Sequence, residues 1–74
     1  MLEEEIIQRL SKENEEFKRL VEEHRELDTI IEELSKKKYL TPNEEIKKTQ
    51  MKKEKLIKKD KIIHLARVYQ NSSN

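Results

Sequence analysis

The chain has 74 residues, of which 45% are charged and 32% hydrophobic, and 17 Lys and Arg against 16 Asp and Glu leave a net charge of only +1. That length fits one small domain, and a chain so short usually completes its core with disulfides, metal or self-association. The absence of cysteine excludes disulfides and cysteine-based metal sites, and the absence of glycine makes the tight turns of a concave catalytic pocket scarce. No apolar run approaches a membrane span, and the acidic opening at Glu3, Glu4 and Glu5 is unlike the basic and then apolar start of a secretory signal. The expectation is a cytoplasmic, non-enzymatic protein with no cofactor.

High charge with low hydrophobicity is also the mark of disorder, and periodicity argues against it here. Ile6, Leu10, Phe17, Leu20, His24, Leu27, Ile31 and Leu34 follow one another at spacings of 4, 7, 3, 4, 3, 4 and 3. This is an a/d heptad in which Glu13 holds the position that the seven-residue gap skips. Ile7, Val21 and Ile30 flank the seam and widen the stripe toward that of a bundle helix. The pattern predicts helix 1 over about 2–38. Acidic residues at its start and Lys36, Lys37 and Lys38 at its finish suit the helix dipole.

Thr41-Pro42-Asn43-Glu44 then punctuates the chain. Thr41 can accept the exposed amide three residues on, Glu44 can reach back to the Thr41 amide, and Pro42 fits the first helical position, where its missing N–H costs nothing. Pro42 also disfavours helical geometry at Thr41, so helix 1 cannot run straight through. A turn over 39–41 therefore begins helix 2, expected over about 42–69, with a frayed polar tail over 70–74.

Helix 2 offers two stripes. One is Met51, Lys55, Lys58, Ile62, Leu65 and Tyr69; the other is Ile46, Thr49, Lys53, Leu56, Asp60 and Ile63. Its last third is apolar around most of the circumference, which calls for burial on more than one side. The sequence therefore predicts an all-α fold: an antiparallel, coiled-coil-like two-helix hairpin that assembles into a four-helix bundle as a homodimer, or into a higher oligomer.

Charge is partitioned along the chain. Residues 1–34 hold 5 basic and 12 acidic side chains, net −7, and residues 35–74 hold 12 basic and 4 acidic, net +8. Folding at Thr41 lays an acidic rod along a basic one, which favours the antiparallel arrangement over those that set like charges together. The lysines of helix 2, Lys47, Lys48, Lys52, Lys53, Lys55, Lys58, Lys59 and Lys61, also raise nonspecific nucleic-acid binding as a lesser reading. Against it, the cluster lacks an Arg fork for base edges and aromatics for stacking.

The order Glu23-His24-Arg25-Glu26-Leu27-Asp28, Ile31, the Thr41-Pro42 turn and then Lys55-Leu56-Ile57-Lys58-Lys59-Asp60-Lys61-Ile62 resembles the YdcH-like family of small bacterial proteins, a domain of unknown function. That family carries H-x-x-L-D-x-x-I on one helix and K-L-x-L-K-D-x-I on the next. His24, Leu27, Asp28, Ile31, Lys55, Leu56, Lys59, Asp60 and Ile62 fall on its positions, over roughly 17–69 of this chain. Lys58 departs from the pattern, standing where the family has an apolar residue. The resemblance implies a self-associating helical hairpin and supplies no activity.

A turn near residue 40 pairs residues whose numbers sum to roughly 81, which sets His24 near Ile57 and Asp28 near Lys53. The expectation is a polar layer across the two helices, His24 with Asp60 and Asp28 with Lys55 or Lys59, fixing their register. Leu-on-Leu packing tolerates a one-heptad slip, whereas an unpaired polar group at the seam costs about 1–3 kcal/mol. Catalysis by His24 lacks a nucleophile, Ser11 being several turns away. A metal site shared by His24 and His64 fails because His64 is expected level with Phe17, two turns from His24. His24 at the edge of an apolar seam is also a candidate pH sensor. Partners are thus expected to be a second copy or another helical protein, with no membrane role.

Overall fold

The computed structural model describes residues 4–72 and forms three helices, α1 over Glu4–Glu13, α2 over Glu15–Ser35 and α3 over Pro42–Ser72. The described residues are all-helical apart from Asn14 and the six-residue connection over 36–41. Helix 1 of the sequence reading is therefore two helices, and it stops at Ser35 rather than near Lys38. Helix 2 continues to Ser72, through much of the segment expected to fray. The expected start at Leu2 and the last two residues of the tail lie outside the described residues.

The break is confined to Asn14, whose backbone is extended at φ −134° and ψ 109°. Its side-chain oxygen accepts the Phe17 amide at 3.1 Å, capping α2, and Glu15 and Glu16 follow in the first turn. That is the chemistry of a helix N-terminus. α1 then folds back along α2. Glu4 meets Arg25 at 3.2 Å, and Ser11 and Lys12 share a surface groove with Lys18.

Helix lengths supply the reason. Two ion pairs set the antiparallel register of α2 on α3, Glu23–Lys58 and Asp28–Lys55, and Lys37–Glu44 continues it from the connection; their numbers sum to 81 or 83. In that register the end of α3 at Ser72 lies level with about residue 10. A straight α1 would carry Ile6 and Ile7 past the end of α3. Folded back, Ile7 and Leu10 instead reach Phe17, Val21 and Ile62, the centre of the core.

Phe17 and Ala66 are fully buried, and Leu20, Leu65 and Tyr69 pack around the same cluster. Toward the turn, Leu27, Ile31 and Leu34 of α2 are buried, opposite an α3 face on which Lys48, Met51, Lys55 and Lys58 are half-buried. Lysines tolerate this position because their aliphatic stems cover apolar surface while the ammonium reaches outward. α2 closes without glycine: its last turn tightens through Lys37 N–H to the Leu34 carbonyl at 3.3 Å, and no described residue has positive φ. α3 opens on a reciprocal pair. The Thr41 hydroxyl accepts the Glu44 amide at 3.1 Å, and the Glu44 carboxylate accepts the Thr41 amide at 3.0 Å.

Candidate functional site: a groove over His24

The three helices meet around a groove of about 770 Å³. Ile7, Val21, Ile62 and Ile63 form its apolar lining, and Arg25, Lys59 and Arg67 bring positive charge. Its two carboxylates are already engaged, Glu4 with Arg25 and Asp28 with Lys55. His24 lies in this groove, half-buried, with Nε2 out of contact with solvent and without a hydrogen-bond partner among the described residues.

Heptad spacing and α1 together place His24 there. It continues the stripe that buries Leu27 and Ile31, and the folded-back α1 brings Ile7 to the same groove. Burial holds its pKa below the ordinary 6.5, and the Lys55 charge acts in the same direction. Asp28 opposes them, while Lys59 and Arg25 add to the depression. The neutral imidazole is favoured because its surroundings are both drier and more positive than water.

Of the residues expected to form a polar layer, Asp28 and Lys55 are brought together in an ion pair. That bond holds the Asp28 carboxyl below its usual range. Lys59 lines the His24 groove, and no ion pair involves it among the described residues. Asp60 does not join them. It lines a separate shallow groove with Glu16, Leu20 and His64, so the expected His24–Asp60 bond is not formed. The cause is rotation about the helix axis: Lys58 faces Glu23, and two further residues carry Asp60 about 200° around α3, toward solvent.

A second cross-helix pair went unanticipated. Lys58 donates to Glu23 at 2.7 Å, with only 17% of the lysine side chain exposed. The signal was the lysine standing in an apolar stripe, which asks for an acidic neighbour on the facing helix. With Lys55 and Lys58 turned onto α2, the lysine cluster of α3 is divided between a packed face and an outer face. His24 and His64 line different grooves, and among the described residues no three His, Cys, Asp or Glu side chains gather as metal ligands would. Among the described residues, the lining of the His24 groove holds no hydroxyl or thiol. No helix over the described residues is long and apolar enough to cross a membrane.

These features define an all-helical protein whose cross-helix ion pairs and buried seam lie mostly between α2 and α3. The model of a family described as a protein of unknown function, DUF465, matches residues 17–66, and the chain belongs to that family. The matched segment begins at Phe17, so α1 lies outside it. No curated protein and no solved structure matches the chain.

Proposed function

We propose that the protein is a small non-enzymatic module that acts by helix–helix association, chiefly with a second copy of itself in a four-helix bundle and otherwise with another helical protein. The observation that carries this reading is the outer face of α3. Ile46, Ile57 and Val68 are 58%, 55% and 49% exposed and recur every eleven residues, a spacing that keeps them in one row along a helix. The opposite face of α3 holds Ile62 and Ala66, so this helix carries apolar side chains on two sides. Self-association also suits a chain whose buried core is so small. The polar layer of Asp28 and Lys55, with His24 beside them, fits a role in register rather than in chemistry. A cysteine-free chain is compatible with action in the cytoplasm.

Sedimentation equilibrium at micromolar concentration tests the reading. A dimer or higher oligomer is expected, and a stably folded monomer overturns it. The competing reading, nonspecific nucleic-acid binding through the lysines of α3, predicts duplex binding that falls steeply with salt. The engagement of Lys55 and Lys58 with α2 argues against it, and no duplex binding is expected in a filter assay at low salt.

A further inference from the structure

We infer that two copies associate by exchanging α1: Asn14 opens as a hinge, α1 and α2 join into one helix from Glu4 to Ser35, and Ile7 and Leu10 of each copy take the seat on the other copy that they occupy here on their own. This rests on the self-association proposed above and adds to it an interface separate from the outer face of α3.

The hinge is a single residue already half in register with a continuous helix. The Asn14 amide donates to the Leu10 carbonyl at 2.8 Å, and the Asn14 carbonyl accepts the Lys18 amide at 3.0 Å. Both are the i to i−4 bonds of an unbroken helix. Straightening forfeits the bond from the Phe17 amide to the Asn14 side chain. It offers the amides of Glu15, Glu16 and Phe17 the carbonyls of Ser11, Lys12 and Glu13 in exchange. Neither glycine nor proline stands at the break to fix the bend. Leu10 and Phe17 are seven residues apart, so the apolar stripe runs on along one face when the helix is straight.

The exchanged form closes on itself. Within one chain α1 lies antiparallel to α2, with Glu4 against Arg25 and Ile7 in the same surface groove as Val21 and Glu22, numbers summing to 28 or 29. Two straightened helices laid antiparallel about a two-fold axis near Asn14 reproduce the same sums between copies. The interface is then isologous and leaves no open end, as exchange of an identical element across a short hinge requires. Around the two-fold axis the two long helices and the C-terminal ends of the two α3 helices lie together as four helices, and each arm beyond narrows to α2 with its own α3.

Two substitutions bias the hinge in opposite directions. Glu15→Pro occupies the first position of α2, where proline is favoured, and holds Asn14 in the extended region it already adopts. The same ring cannot sit inside a continuous helix. Asn14→Ala removes the cap and supplies the best helix former. In sedimentation equilibrium on the full chain, Glu15→Pro is expected to weaken dimerisation by about tenfold or more and Asn14→Ala to tighten it by about tenfold, the scale of one cap. A second arm does not depend on how the variants fold. Chains carrying Glu4→Cys alone and Arg25→Cys alone are unfolded together, refolded and treated with a short bis-maleimide, and a covalent heterodimer is expected. A dimer that yields no such cross-link and is unmoved by either substitution overturns the exchange while leaving self-association intact. A monomer in every variant overturns both.

Discussion

Thr41 and Glu44 satisfy each other's amides across the first turn of α3, the Glu44 amide donating to the Thr41 hydroxyl at 3.1 Å and the Thr41 amide to the Glu44 carboxylate at 3.0 Å. Lys37 reaches across from the preceding connection to the same carboxylate. One glutamate thus ties the end of the connection, the start of α3 and Lys37 beyond α2. Replacing Thr41 by Ala removes the cap and is expected to cost about 0.5–2 kcal/mol. In a domain of this size that lowers the melting temperature by roughly 4–8 °C per kcal/mol, readable by circular dichroism. An unchanged melting temperature would mean that the Thr41 hydroxyl contributes nothing to the stability of the corner.

The same engagement governs behaviour in acid. The bond from Lys37, with the Thr41 amide second, lowers the Glu44 pKa from 4.5 to about 2, and Glu23 and Asp28 are lowered by Lys58 and Lys55. A carboxylate with a depressed folded pKa contributes stability that is complete above its unfolded value and is lost as pH falls through the folded one. Stability is therefore expected to decline from about pH 4.5 downward. NMR titration of the Glu44 carboxyl should give a midpoint near 2, and a midpoint near 4.5 would show the pair to be absent in solution.

His24 acts in the same direction but in a separate window. Its folded pKa is below 6.5, so the unfolded chain binds the proton more readily. Stability is full above the unfolded value and falls as pH drops below it, above the range in which Glu23, Asp28 and Glu44 titrate. Urea midpoints measured from pH 8 to pH 5 should decline for the parent protein and stay nearly flat for His24→Gln. Equal slopes in the two proteins would remove His24 as the source.

Lys58 gives a test of the packed face. Methionine matches its stem as far as the ε carbon and keeps that packing, while Glu23, 40% exposed, can return to water. Lys58→Met is expected to melt at or above the parent temperature, with a weaker dependence on sodium chloride. A large loss of stability would show that the Glu23 pair, rather than the aliphatic stem, holds the helices together there.

Part of this was legible in the sequence. The corner at Thr41-Pro42 was readable because capping needs only four adjacent residues. The meeting of Asp28 with Lys55 was readable because a corner fixes which levels of two helices face each other. The break at Asn14 was not. The heptad runs on through it in phase, and the overhang of a straight α1 past the end of α3 exists only once α2 and α3 pack. An asparagine followed by two glutamates, inside the seven-residue gap of the stripe, was the available signal. Asp60 failed for another reason: register sets the level of a residue along a helix but not its direction around the axis, and Asp60 has the right level and the wrong direction.

The placement of the tyrosines gives the fold a built-in optical gauge. The chain holds two tyrosines and no tryptophan. Tyr39 stands in the connection, 81% exposed beneath the Lys38 ammonium, whereas Tyr69 leans on the Phe17 cluster at the far end. Near-ultraviolet absorbance and emission can therefore follow dissolution of the interior through one ring while the other serves as a fixed solvent reference, with no added dye or engineered chromophore.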